Sequence, residues 1–127
     1  MHNAVQINDL PELWRNQMKE LLGVEPKTNK DGVLQDVHWS WGHLGYFPTY
    51  TLGNLNAAQL WQKFLVAHPN WAAEIQTGNF NSYLSWFTEH VWQHGSFYTP
   101  DELMNKATGE STNAKYFLAY LAEKFLA

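Results

Sequence analysis

Gln35, Asp36 and His38 fall within four positions of one another, just after Gly32 and just before Trp39 and Trp41. A carboxylate this close to an imidazole orients the ring, and a ring so held donates a hydrogen bond to a substrate carbonyl or to a developing oxyanion. In an extended segment Asp36 and His38 point to the same side, because successive side chains alternate. The same residues also read as architecture, with Asp36 capping a following turn and His38 a satisfied, half-buried histidine. Further on, Tyr46 and Tyr50 are four apart. If a helix has begun by Gly45, they share a face and offer two phenols in one direction. Phenols stabilise a tetrahedral intermediate without adding a full charge, although aromatics at helical spacing commonly serve a core.

A second set of residues invites a metal. His90 and His94 form H-x-x-x-H, the spacing that on a helix lets two imidazoles meet one zinc. Val91, Trp92 and Gln93 supply no adjacent general base, so the H-E-x-x-H pattern of metallopeptidases does not occur, and a third ligand would have to come from Glu89, His68 or elsewhere. The plainer reading puts His94 in a C-terminal turn, where an imidazole suits the helix dipole. There is no Gly-rich phosphate loop and no G-x-S-x-G nucleophile elbow. Cysteine is absent, so a thiol nucleophile, a disulfide and a thiolate metal site are excluded.

The elements that must hold these residues are helical. Asp9-Leu10-Pro11-Glu12 is a helix start, and Leu10, Leu13, Trp14, Met18, Leu21 and Leu22 recur at helical spacing until Gly23 and Pro26 stop it. A polar turn runs to Asp31, and the segment near 32–44 reads as irregular or extended. The stretch from about Gly45 to Ala67 predicts a long helix, with Pro48 tolerable only in its first turn and His68-Pro69 ending it. A short helix over Trp71 to Gln76 precedes Gly78. Phe80, Tyr83, Leu84, Phe87 and Val91 then form a stripe closed by Gly95. Thr99-Pro100-Asp101-Glu102 is a capping box with proline first, Gly109 ends that helix, and a last one runs from about Asn113 to Phe125. The fold class is mainly α, with about five to six helices in a single helical domain over residues 1–127.

Composition narrows the function classes. Only 16% of residues are charged, while seven Trp, six Tyr and seven Phe leave apolar surface over once a core is filled. Such a surplus marks an interface or a ligand groove. The net charge of −4, with eight Lys and Arg scattered singly, excludes a nucleic-acid surface. No apolar run approaches the roughly 20 residues of a membrane helix, and Met1-His2-Asn3-Ala4 lacks the basic and apolar regions of a secretion signal. A soluble, cytoplasmic protein is expected, with no membrane partner.

Taken as one pattern, G-x-x-Q-D-x-H-W from Gly32 to Trp39, running into G-Y-F-P-T-Y from Gly45 to Tyr50, resembles a signature of the thermostable metallocarboxypeptidases, the carboxypeptidase Taq family. The likeness extends to Asp9-Leu10-Pro11-Glu12 with Trp14, Leu22-Gly23-Val24, Leu52-Gly53-Asn54 with Ala58-Gln59-Leu60, Gly78 with Phe80, and Ala107-Thr108-Gly109-Glu110 with Lys115-Tyr116-Phe117. The resemblance implies the helical C-terminal part of a larger zincin-type enzyme, usually homodimeric, that removes single residues from peptide C-termini with zinc or cobalt. It implies that Gly32, Gln35, Asp36 and Trp39 line the substrate groove, that His38 contacts the peptide, and that Tyr46 or Tyr50 supports the tetrahedral intermediate. The family's metal helix and its substrate-carboxylate arginine lie upstream of the matched region, and Arg15, the only Arg here, does not match the latter. The chain is therefore expected to bind no metal and to be inactive without the upstream part of the same enzyme. The alternative is a non-catalytic helical interaction or dimerisation module.

Overall fold

Pro11 in the first turn and a run of good helix formers make Leu10–Leu22 the first helix, α1, in the computed structural model, which describes residues 5–126. Met1-His2-Asn3-Ala4, read above for a secretion signal, and Ala127 lie outside the described residues. Asp9 precedes α1 but does not cap it, since its carboxylate accepts the Gln6 N–H at 3.3 Å instead. The helix stops where expected: Gly23 takes φ 68°, a left-handed conformation that only glycine adopts at no cost, and its N–H donates to the Lys19 carbonyl at 3.1 Å.

The chain divides into two compact units, one ending at Phe47 and the other beginning at Pro48. In the first, α1 is followed by a turn and by the segment near 32–44, which is irregular rather than extended. Two 3₁₀ turns, Val33–Gln35 and Val37–Trp41, meet at Asp36 (φ −79°, ψ 80°). Val33 is the buried apolar residue of this unit among those described.

The second unit holds the other five helices found among the described residues: α2 (Thr49–Ala67), α3 (Trp71–Gln76), α4 (Asn81–His90), α5 (Pro100–Thr108) and α6 (Lys115–Phe125). No strand occurs among the described residues. α2 begins four residues later than its sequence suggests, because Gly45 at φ 76° belongs to a turn and Pro48 sits at the N-cap. It packs against α5 and α6. Its Phe64 is wholly buried, with the rings of Trp61, Trp71, Tyr83, Trp86 and Phe87 centred 5.3 to 6.0 Å away and His68 stacked on it at 4.9 Å. α5 starts with the full reciprocal capping box of Thr99 and Glu102.

One polar side chain ties this unit together. Gln59 is completely buried, and its amide donates to Thr108 Oγ1 at 2.7 Å and to the carbonyls of Glu110 and Ser111, both at 3.2 Å. Its Oε1 accepts the Asn113 N–H at 2.8 Å. Every hydrogen-bonding group of the amide is thus spent on joining α2 to the turn between α5 and α6.

Candidate functional site

Gly32 opens the site because of what lies over it. A Cβ there would stand 3.2 Å from the Thr28 carbonyl oxygen, 3.4 Å from Pro26 Cβ and 3.5 Å from Cδ1 of the Trp14 indole. α1 therefore presses on the start of the loop through Trp14, whose Nε1 is buried without a hydrogen-bond partner. The Gly32 N–H donates to the Asn29 carbonyl at 3.2 Å and its carbonyl accepts the Gln35 N–H at 2.9 Å. Gln35 is exposed, and its amide folds back on the Lys30 carbonyl.

Asp36 and His38 are both buried, at 7% and 9% exposure. Asp36 Oδ1 accepts the His38 N–H at 3.2 Å and lies 2.9 Å from His38 Nδ1. An ionised carboxylate only accepts, so Nδ1 is the donor between the two. Asp36 thus both caps the turn and holds the imidazole at Nδ1. A tight turn brings them together, in place of the strand-like alternation the sequence suggested.

Around the imidazole stand Tyr46 at 4.9 Å between ring centroids, Phe47 at 5.5 Å and Trp41 edge-on at 6.2 Å. His43 lies 6.0 Å from Tyr46, and its N–H donates to the His38 carbonyl at 3.0 Å. Sequence reasoning singled out neither Phe47 nor His43. The run of rings from Trp39 to Phe47 was the available signal, since rings that follow a turn so closely fold back over it. Trp39 itself turns toward α1, where with Val33 it lines an apolar groove of about 430 Å³.

The two phenols do not share a helical face. Tyr46 precedes α2 and joins the rings around His38, whereas Tyr50 lies in the first turn of α2 in the second unit; each is about half exposed. The H-x-x-x-H pair fails as a helical site for a related reason. α4 ends at His90, the chain breaks direction at Val91 (φ −129°, ψ −66°), and His94 sits in a separate 3₁₀ turn, Trp92–His94. His90 is stacked on Trp86 at 4.4 Å with Nδ1 2.9 Å from the Trp86 carbonyl, and His94 lies edge-on to Tyr98. Among the described residues no group of three or more His, Asp or Glu side chains could hold a metal ion. The described residues do not fit a metal centre. Nor, among the described residues, is any helix long and apolar enough to cross a membrane.

Residues 1–125 match the carboxypeptidase Taq (M32) metallopeptidase family. The thermostable carboxypeptidase 1 of Thermus thermophilus is 46% identical over 94% of this chain and 23% of its own length, and carboxypeptidase 1 of Bacillus subtilis is 43% identical over 97% of this chain and 25% of its own. Among solved structures, the Pyrococcus furiosus carboxypeptidase superposes with a TM-score of 0.89 at 40% identity, covering 94% of this chain and 24% of that one. The chain thus spans about a quarter of the length of the curated relatives it matches. With the match running through the Asp36–His38 loop and all six helices alike, the chain belongs to the carboxypeptidase Taq (M32) family of metallopeptidases.

Proposed function

We propose that this chain supplies one wall of the peptide-binding cleft of a metal-dependent carboxypeptidase that removes single residues from peptide C-termini. The observation that carries the reading is the buried Asp36–His38 pair, with Nδ1 held at 2.9 Å and half-exposed rings beside it. Asp36 fixes the imidazole, His38 presents Nε2 to the peptide, and Tyr46 or Tyr50 donates to the charge that develops on the scissile carbonyl. Gly32 and Gln35 shape the inner groove, Gly32 by letting the loop lie against Trp14, and Trp39 backs it from the side that faces α1. The metal, zinc or cobalt, belongs to polypeptide of the kind the relatives carry outside the matched quarter, where it would polarise the carbonyl and activate water. The enzyme so completed is a cytoplasmic homodimer with a peptide substrate.

The test uses a chimera in which this chain replaces the matched quarter of the Bacillus subtilis relative. His38→Ala should cut turnover by about 10²-fold, the cost of a misplaced peptide once the ring that accepts from it at Nε2 is gone, while metal content stays unchanged. Wild-type turnover from that variant would end the role given to His38. Tyr46→Phe and Tyr50→Phe separate the two phenols, because only the donor aimed at the oxyanion carries a loss of that size.

One observation favours a second reading, a non-catalytic interaction module: Leu21, Trp41 and Phe97 are each more than two-thirds exposed. A chimera that folds, binds metal and hydrolyses no peptide would select it.

A further inference from the structure

α1 carries an apolar arc that its own unit leaves open. Leu10, Leu13, Trp14, Met18, Leu21 and Leu22 span roughly half of the helix circumference, interrupted by the polar Gln17, with Glu12, Arg15, Asn16, Lys19 and Glu20 on the other half. Trp14 is spent on Gly32, yet Leu21 is 71% exposed and Leu22 65%. The arc forms one side of the groove of about 430 Å³ whose other side is Val33 and Trp39. Apolar residues repeating at three and four positions along an open groove are what one helix offers to another. Val33 and Trp39 come from the same two 3₁₀ turns that hold the Asp36–His38 pair.

From this geometry we infer that the α1 groove is a docking seam for a helix from the part of the carboxypeptidase that lies outside the matched quarter. This inference rests on the functional reading above. The length of the relatives selects that occupant, since they carry about three-quarters of their chain outside the matched region. An occupant seated on Val33 and Trp39 also presses on the loop that holds His38, so docking of the remaining enzyme and shaping of this wall are one event. Burying the arc removes apolar surface that a soluble chain seldom leaves open.

The experiment uses this chain with a tagged polypeptide comprising the part of the Bacillus subtilis relative outside its match, co-expressed and then titrated. A one-to-one complex is expected. Leu13→Glu with Leu21→Glu should weaken it at least tenfold with the helical content of the chain retained, while Asn16→Glu, on the opposite face of α1, should change it less than twofold. Equal binding by all three, or self-association of this chain that the double variant abolishes, would overturn the proposal. If the separate remainder does not fold, hydroxyl-radical labelling of Leu13 and Leu21 in the chimera decides. A several-fold fall against the isolated chain supports the seam, and unchanged labelling overturns it. Neither readout involves peptide hydrolysis: a seam that forms around an inactive chimera sinks the functional reading alone, and an active chimera with an open arc sinks the seam alone.

Discussion

Two buried polar groups, one in each unit, are put to opposite uses. Gln59 joins segments about fifty residues apart in the chain, and each of its hydrogen-bonding groups ends on a backbone or hydroxyl partner that cannot titrate near neutral pH. The Asp36–His38 pair joins residues two apart, and both partners can carry charge. The first arrangement fixes where α2 meets the α5–α6 turn. The second fixes a local turn and sets the direction of a ring. Their surroundings follow suit: Gln59 lies one turn from Phe64 and its shell of rings, whereas Val33 is the buried apolar residue of the unit that holds His38. A buried polar residue with distant partners is a joint, and one with a local, ionisable partner is available for chemistry.

The comparison is broken most severely at its apolar end. Phe64→Ala should destabilise the second unit by about 3–5 kcal/mol, the range for emptying an aromatic core position, as read by denaturant unfolding. A loss under about 1 kcal/mol would mean that the rings around Phe64 do not form the core described. Gln59→Leu comes next. It keeps the volume but orphans the Asn113 N–H and the Ser111 carbonyl, at about 1–3 kcal/mol for each group left buried, while the Glu110 carbonyl keeps the Thr108 hydroxyl. Asp36→Asn sharpens the contrast, because its cost should appear in turnover rather than in unfolding. An amide nitrogen facing Nδ1 moves the ring proton to Nε2, and turnover of the chimera should fall by roughly one to two orders of magnitude. Equal unfolding losses for Gln59→Leu and Asp36→Asn would erase the distinction.

How much of this was legible in the sequence depended on the range of the signal. The ends of α1, α3 and α5 are written locally, in Pro11 and Gly23, in Thr77-Gly78, and in the Thr99–Glu102 box with Gly109, and the structure keeps them. The start of α2 was misplaced because G-Y-F-P-T-Y carries helix-compatible rings, and only backbone conformation shows that Gly45 turns and Pro48 caps. That shift separated Tyr46 from Tyr50. The break at Val91, which takes His94 off α4, has no proline or glycine to announce it. The proximity of Asp36 to His38 was readable from spacing, yet the turn that achieves it, and the Trp14 indole over Gly32, depend on contacts with α1 that no local pattern encodes. Nothing local in the sequence marks Gln59 as a joint, since its partners lie far along the chain.

The smallest expected effect tests a third kind of polar group, exposed and charged. Glu110 follows the Gly109 stop and accepts from the Tyr116 hydroxyl, from Lys115 Nζ at 2.9 Å and from Asn113 Nδ2 at 3.0 Å. Chiefly the Tyr116 hydrogen bond, with Lys115 and Asn113 adding to it, lowers its carboxyl from an ordinary 4.5 to about 2. Between those values the unfolded chain binds the proton and the folded chain does not. The stability that Glu110 lends is therefore complete above pH 4.5 and is lost as pH falls through about 2. Glu110→Gln should flatten the acid limb of the melting temperature between pH 4.5 and 2. Tyr116→Phe should flatten it in part, because the largest cause is gone and the Lys115 pair remains. Glu25 and Glu102 are lowered as well, the one by Lys19 and the other by Thr99, so the quantity to measure is the difference in slope between wild type and variant. That difference should be modest, since solvent screens an exposed cluster. Identical slopes would show that the turn anchored by Gln59 holds α6 without help from the charges beside it.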